Sequence, residues 1–318
     1  MIPDTGGGPG MGGRLLAMAR TGRVRRLLAE SPATRELANR YVAGESIDML
    51  IHTVGDRLSK GLAVSIDPLR VPDPTPAGVA ASGAVYLEVL RCLDEHHLSA
   101  GVDLLVKIDA LGLAEDGPHP VSGMQDLRRI CRTADNCGCT VTIDVVPKGD
   151  MDRIFSVVQE LRMDHPSVGV TVPAMLRRTE SDCRELAAQG MRVRLCRGSW
   201  RDTAEKSFNK SHEVDLSFVR CLNTLMSSLA HPVVTSHDPR MVEITLDLAR
   251  RAARPADSYE FQMLLGVRPL EQRRLADIGC IMRTQLPFGP GWYDYFLRRV
   301  AMRPSGVMDH LRSLLSPR

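Results

Sequence analysis

Short apolar runs recur along the chain and alternate with longer stretches whose apolar residues repeat at helical spacing. The runs are Leu62–Asp67, Asp103–Asp109, Thr140–Val146, Val168–Pro173, Met191–Cys196, Pro232–His237, Tyr259–Leu265 and Cys280–Leu286. Strand-length runs that alternate with helices are typical of βαβ units in a parallel sheet. Eight such units predict an α/β fold, a (β/α)8 TIM-like barrel preceded by N-terminal helices. The alternative is a doubly wound open sheet, although no G-x-G-x-x-G follows the first run to support a dinucleotide-binding version.

Three regions of different character divide the chain. Residues 1–13 are rich in glycine and have nothing to bury, so we expect them to be disordered. Residues 14–61 are predicted to form helices, the second over Ala33–Ala43 and the third over Glu45–Ser59. Residues 62–318 are expected to form a catalytic barrel. The first helix, over residues 14–30, carries several arginines that would either face solvent or touch an anionic membrane surface.

The composition argues against several classes of function. A net charge of +3 and an aromatic content of 4% are untypical of proteins that bind nucleic acid. No run approaches about 20 apolar residues, and no apolar signal-peptide core opens the chain, so we expect a cytoplasmic protein. The eight scattered cysteines are expected to be reduced. Cys137 and Cys139 could form half of a metal site, but no second pair with zinc spacing follows, so no metal is predicted.

Ionisable and amide side chains fall at the ends of the predicted strands: Asp67, Lys107, Asp109, Asp144, Arg194, Arg197, His237, Gln262 and Gln285. In a (β/α)8 barrel the chemistry takes place at the C-terminal ends of the strands. Buried charges there are costly unless they are paired or bound to a ligand. These residues therefore predict a functional site at that end of the barrel. A pair such as Lys107 with Asp144 could instead be a purely structural salt bridge.

The eighth run leads through a cluster of prolines and glycines, residues 287–291, into a predicted helix that carries Arg298 and Arg299. Two adjacent guanidinium groups repel one another unless an anion lies between them, and the fork of an arginine matches a carboxylate. One interpretation is a site for a substrate carboxylate; the other is a solvated arginine pair on a surface helix. A position directly after the eighth strand favours the first, because it lies over the barrel mouth.

Five segments in the same order resemble motifs of the proline dehydrogenase family. They are Leu105–Lys107 (LVK), Val193–Trp200 (VRLCRGSW), Ser236–Asp238 (SHD), Tyr259–Gly266 (YEFQMLLG) and Tyr295–Arg299 (YFLRR). The resemblance extends over about residues 33 to 303. Several collinear motifs make it far more specific than any one of them would be.

The resemblance implies a barrel that holds FAD non-covalently at its mouth. The family oxidises the C–N bond of proline to an imine by hydride transfer to flavin N5, and the electrons pass to a quinone or another acceptor. Contact with the inner face of a membrane is therefore possible. The implied partners are a small amino-acid-like substrate and this acceptor.

The match also assigns residues. The implied substrate site comprises Lys107, Trp200, Leu264, Gln285, Arg298 and Arg299. The implied cofactor site comprises Arg194, Cys196, Gly198, Thr235, Ser236, His237, Gln262 and Arg299. Lys107, Arg298 and Arg299 would bind the substrate carboxylate in the catalytic site, and Asp144 would brace Lys107. Arg194 would lie near flavin N5, where a cation stabilises developing negative charge.

Several positions depart from the family motifs. The tyrosine of the eighth strand is Gln285, the acid after the arginine pair is Met302, and a glutamine of the fourth strand is Pro173. The substrate predicted is therefore proline or a modified relative that keeps the carboxylate. Two alternatives stay open: a biosynthetic flavoenzyme that oxidises a C–N or N–N bond of another molecule, and a barrel without catalytic activity.

Overall fold

The computed structural model describes residues 29–69, 75–113, 121–145, 150–198 and 203–302, with the isolated residues Gly22, Arg26 and Asp73. The strands β1 to β8 span Ala63–Pro68, Val102–Lys107, Thr140–Asp144, Gly169–Pro173, Arg192–Cys196, His231–Thr235, Glu260–Leu264 and Ile281–Phe288. The helices α1 to α10 span Pro32–Ala38, Ile47–Ser59, Pro76–Glu95, Val121–Cys137, Met151–Arg162, Thr179–Ala188, Ser211–Met226, Pro239–Arg251, Pro269–Asp277 and Trp292–Met302. The region expected to be disordered, residues 1–13, lies outside the described residues.

The eight strands form one closed parallel barrel in chain order, in which β8 pairs with β1. This confirms the predicted (β/α)8 architecture and shows that an open sheet is wrong. The second strand is shorter than predicted, because the chain turns into a 3₁₀ helix at Ile108–Leu111 directly after Lys107. Asp109 is therefore exposed in that turn, where its carboxylate accepts a hydrogen bond from the backbone of Ala110, and it is not part of the strand.

Apolar side chains on the outer face of the barrel pack against the helices and form the main hydrophobic core. Val64, Leu104, Val193 and Phe261 are examples, and each is at most 1% exposed. The alternate positions of the same strands point into the barrel. Many of those positions are polar or charged, so the barrel interior is a hydrogen-bonded network and not an apolar core.

The predicted helix over residues 33–43 is wrong in its second half, since α1 ends at Ala38. The chain then runs alongside the end of β8. The backbone N–H of Ala43 donates to the carbonyl of Pro287 at 2.7 Å, and that of Gly289 donates to the carbonyl of Gly44 at 2.9 Å. These bonds compete with the helical ones, and Gly44 adopts φ 110°, a backbone conformation that favours glycine.

A second, smaller hydrophobic cluster fixes α10 over the barrel. It comprises Leu37, Ala38, Val42, Leu69, Trp292, Tyr293, Phe296 and Leu297. The apolar face of the helix that carries the arginine pair is thus buried against the N-terminal segment, not against the barrel core. We call this group of side chains the end cluster.

Among the described residues no helix is both long and apolar enough to cross a membrane. The eight cysteines are all free thiols.

Candidate active site

A network of hydrogen-bonded side chains lies at the C-terminal ends of the strands. Its members are Asp67, Lys107, Asp144, Thr171, Arg194, Thr235, Gln262 and Gln285. Each of the eight strands contributes one residue, which is possible only because the barrel brings their ends into one ring. We call this group the upper layer. Six of its eight members were named as strand-end residues from the sequence, and Thr235 was named through the family resemblance. Thr171 was missed, because a neutral hydroxyl gives little signal on its own.

Arg194 occupies the centre of the upper layer, and its side chain is only 7% exposed. Its Nε donates to Gln262 Oε1 at 2.5 Å, one Nη donates to Asp144 Oδ1 at 3.1 Å, and the other donates to Gln285 Oε1 at 2.9 Å. A planar guanidinium with five donors suits three acceptors on three strands, and a lysine could not replace it. The cation is therefore fixed in position before any ligand binds.

Lys107 lies at the rim of the same layer, with its side chain 29% exposed. Its ammonium group pairs with Asp67, whose side chain is 8% exposed. Burial disfavours the charged amine, but the carboxylates of Asp67 and Asp144 outweigh that effect and raise the pKa of Lys107 above its usual value. Lys107 is thus a fixed cation that still reaches solvent at the mouth.

The predicted direct pairing of Lys107 with Asp144 is wrong, although the two residues are opposite one another in the β2–β3 register. Asp144 accepts instead from Arg194, and Lys107 turns to Asp67. The reason is charge balance: without Lys107, the buried carboxylate of Asp67 would have no cation against it among the described residues. Asp144 acts on Lys107 only through its electric field.

A lower layer of charges fills the barrel two residues below the upper one. Glu260 accepts hydrogen bonds from Arg283 and from Arg192, the latter at 3.2 Å, and lies 3.0 Å from His231. Arg192 also reaches Asp103 at 3.1 Å. Sequence reasoning missed this layer. The signal was present as alternation, since Arg192, Glu260 and Arg283 each precede an upper-layer residue by two positions.

The remaining predicted cofactor residues surround the mouth at β5 and β6. His237 accepts at Nε2 from the backbone N–H of Leu264 at 3.0 Å, which ties the β6 end to the predicted pocket residue on β7. Thr235 donates to Gln262 Oε1 at 2.9 Å. Ser236 accepts from the backbone of Asp238 at 3.2 Å and so shapes the turn into α8.

Cys196 and Gly198 follow β5 at the same rim. Cys196 is half-buried, and burial raises the pKa of its thiol to about 11, so it is a neutral wall group. Gly198 has φ 82°, and a Cβ there would meet the Met175 side chain at 2.5 Å. A glycine is therefore required for this close approach.

The predicted arginine pair lies on α10, which begins four residues after β8 ends. Arg299 is half-buried, whereas the side chain of Arg298 and that of Met302 lie outside the described part of the molecule. Trp200 also lies outside the described residues. The structure thus brings Lys107, Arg194, Gln262 and Gln285 into one network.

One buried donor in the upper layer lacks a hydrogen-bond acceptor among the described residues. Gln262 is fully buried and its Oε1 accepts two hydrogen bonds, yet its Nε2 has no partner among the described residues. A buried amide N–H₂ without an acceptor is costly. Turning the amide over would place that donor against Arg194, so the orientation is fixed. The site therefore fits a cofactor that offers hydrogen-bond acceptors, as the isoalloxazine carbonyls and ring nitrogens of FAD do.

Comparisons with known proteins identify the family of the chain. A family model described as proline dehydrogenase matches residues 50–301. The chain is 28% identical over 287 residues to proline dehydrogenase 1 of Bacillus subtilis (strain 168), covering 90% of this chain and 93% of that protein. It is 27% identical over 285 residues to a proline dehydrogenase of Deinococcus radiodurans, covering 88% and 90%.

Among solved structures, the fold is similar to that of proline utilization A from Bdellovibrio bacteriovorus inactivated by N-propargylglycine. The TM-score is 0.80 at 20% identity, over 90% of this chain and 36% of that chain. The chain thus spans about a third of that longer protein, and the likeness concerns the fold.

Proposed function

The chain belongs to the proline dehydrogenase family, and from that premise we propose that it oxidises proline, or a carboxylated relative of proline, to the imine with FAD as cofactor. The observation that carries the proposal is that three groups lie in one layer. They are the ammonium group of Lys107 at the rim, the buried guanidinium of Arg194, and the Gln262 amide, whose Nε2 has no acceptor among the described residues. The first suits a substrate carboxylate, and the other two suit an electron-accepting ring with acceptors at its edge.

Gln262, Arg194, Thr235 and His237 would hold the flavin, which when bound supplies the acceptor for the hydride. The chain's own groups bind and orient. Lys107, with Arg298 and Arg299, would hold the carboxylate, and Asp67 keeps Lys107 in place. Both carboxylates of the upper layer are engaged in ion pairs. Their contribution is therefore to position cations, and neither is the base that removes a proton.

The test is an anaerobic titration of the purified protein. We expect the oxidised flavin absorbance to be present and to bleach when proline or a ring-substituted proline is added. A protein that holds flavin but is bleached only by a substrate without a carboxylate would instead be an oxidase of another class. A protein that binds no FAD would be a barrel without this activity.

The arginine pair predicts that the substrate is recognised by its carboxylate. Replacing Arg298 by alanine should weaken binding of tetrahydrofuroic acid by about 1.5–3 kcal/mol, the range for a hydrogen bond to a charged group. The methyl ester of the same compound should bind wild type and variant alike. Calorimetric titration measures both, and Arg274→Ala, on the exposed face of α9, serves as the control. Equal affinity of wild type for the acid and the ester would eliminate the arginine pair as a carboxylate site.

A further inference from the structure

Gln285 joins two parts of the upper layer that no other described side chain connects through direct hydrogen bonds. Its Oε1 accepts from Arg194 at 2.9 Å, and its Nε2 donates to Asp67 Oδ2 at 2.9 Å. The other carboxylate oxygen of Asp67 pairs with Lys107. A chain of contacts therefore runs from the rim ammonium through Asp67 and Gln285 to the central guanidinium.

The chemistry of this position is restrictive. The group between Arg194 and Asp67 has to accept from a cation on one side and donate to an anion on the other. A carboxylate could accept but not donate, and an apolar side chain could do neither. Gln285 is only 7% exposed, so water from the bulk does not replace either bond. One acceptor site and one donor of its amide are thus engaged within the upper layer.

We propose that Gln285 is a positioning residue that couples Lys107 to Arg194 and so fixes the substrate-side cation relative to the cofactor-side cation. Calling Lys107 the substrate-side cation and Arg194 the cofactor-side cation rests on the proposed function. The hydrogen bonds of Gln285 to Arg194 and Asp67 do not depend on it. The positioning differs from the pocket-lining role that the family resemblance implied for this position. It also gives a physical use to a residue at which the chain departs from the family motif.

The chain offers a matched control in Gln262. Both glutamines are buried and both accept from Arg194 through Oε1, but only Gln285 contacts Asp67. Losing either amide therefore removes one acceptor from Arg194. Only the loss of Gln285 should change the position of Lys107, because only Gln285 contacts its partner Asp67.

A double-mutant cycle in urea on the full chain tests the bridge without substrate turnover. The variants are Gln285→Met and Gln262→Met, each alone and combined with Lys107→Met, with flavin content checked by absorbance. Gln285→Met should raise the unfolding equilibrium constant by some factor in wild type. We expect that factor to be at least threefold larger in the Lys107→Met background, because Asp67 then loses both partners. The cost of Gln262→Met should change by less than threefold. A smaller change for Gln285, or an equal change for Gln262, would overturn the proposal.

Gln285→Glu keeps the size and the acceptor but replaces the donor with a negative charge that faces Asp67, so it remains informative if Gln285→Met does not fold. In calorimetry it should reduce the affinity for tetrahydrofuroic acid at least fivefold more than Gln262→Glu does, because Gln262→Glu adds the same charge next to Arg194 without a contact to Asp67. Unchanged affinity would show that the bond to Asp67 does not position Lys107. If proline failed to bleach the flavin, the proposed function would be contradicted but the bridge would not. The double-mutant cycle measures unfolding in urea and does not depend on the substrate.

Discussion

Replacing Arg194 by methionine is expected to lower the free energy of unfolding by about 3–5 kcal/mol, the range for removing one partner of a buried ion pair. The variant leaves Asp144 without its cation and takes the donor from two buried glutamine oxygens. Urea denaturation followed by circular dichroism measures the loss. If the free energy of unfolding fell by less than about 1 kcal/mol, Arg194 would not be the centre of the layer.

Two further variants separate structure from cofactor chemistry. Arg197→Met removes the next arginine of the same strand end, which is 46% exposed and pairs with Asp215, so its cost should stay within about 1 kcal/mol. Arg194→Lys retains a positive charge without the planar fork. Where that variant still holds flavin, the flavin should be harder to reduce by about 1.5–3 kcal/mol. An unchanged midpoint potential would contradict a role for Arg194 at the flavin.

Replacing Glu260 by glutamine should also cost about 3–5 kcal/mol at pH 7, since two buried arginines lose their shared carboxylate. Burial would raise the pKa of Glu260, but Arg192 and Arg283 outweigh it and hold the pKa well below its usual value. A depressed pKa contributes stability that is present above the unfolded value of about 4.3 and is lost as pH falls through the folded value. The difference between wild type and variant should therefore shrink below about pH 4.

Urea denaturation at pH 7, 5 and 3.5 measures this difference. Glu180→Gln is the control, because Glu180 pairs with Arg184 and Arg220 at the surface and should cost no more than about 1 kcal/mol. A difference for Glu260 that is constant across these pH values would show that its ionisation is not linked to folding.

The sequence predicted the barrel because its signal is repeated eight times. Each strand is a short apolar run that is bounded by turns, and an error at one boundary, such as that at Asp109, leaves the count unchanged. The residues of the upper layer were predictable for a related reason. Strand ends meet in a barrel, so a polar side chain at each end defines a ring.

The partners within that ring were not predictable. The register places Lys107 beside Asp144, and neighbouring strands suggested a salt bridge between them. Lys107 pairs with Asp67 because Arg194 binds the carboxylate of Asp144. Which carboxylate Arg194 binds depends on the tilt of the strands and on the length of the side chains across the barrel interior. Such distances are not encoded in the spacing of residues. The lower layer was not predicted for another reason: strand interiors are expected to be apolar, so the motif that contains Glu260 did not indicate a charged partner for it.

The end cluster has a consequence for how the enzyme is made. The helix that carries the arginine pair rests on Leu37, Ala38 and Val42, whose partners Trp292 and Phe296 leave the ribosome only after the whole barrel. Contacts between residues so distant along the chain form slowly, and a chain emerging N-terminus first exposes this apolar patch throughout synthesis. Until Trp292 and Phe296 emerge, Leu37, Ala38 and Val42 lack their native partners on that helix. Docking of the helix that carries the arginine pair is therefore expected to be a late step of folding, after all eight strands have been synthesised.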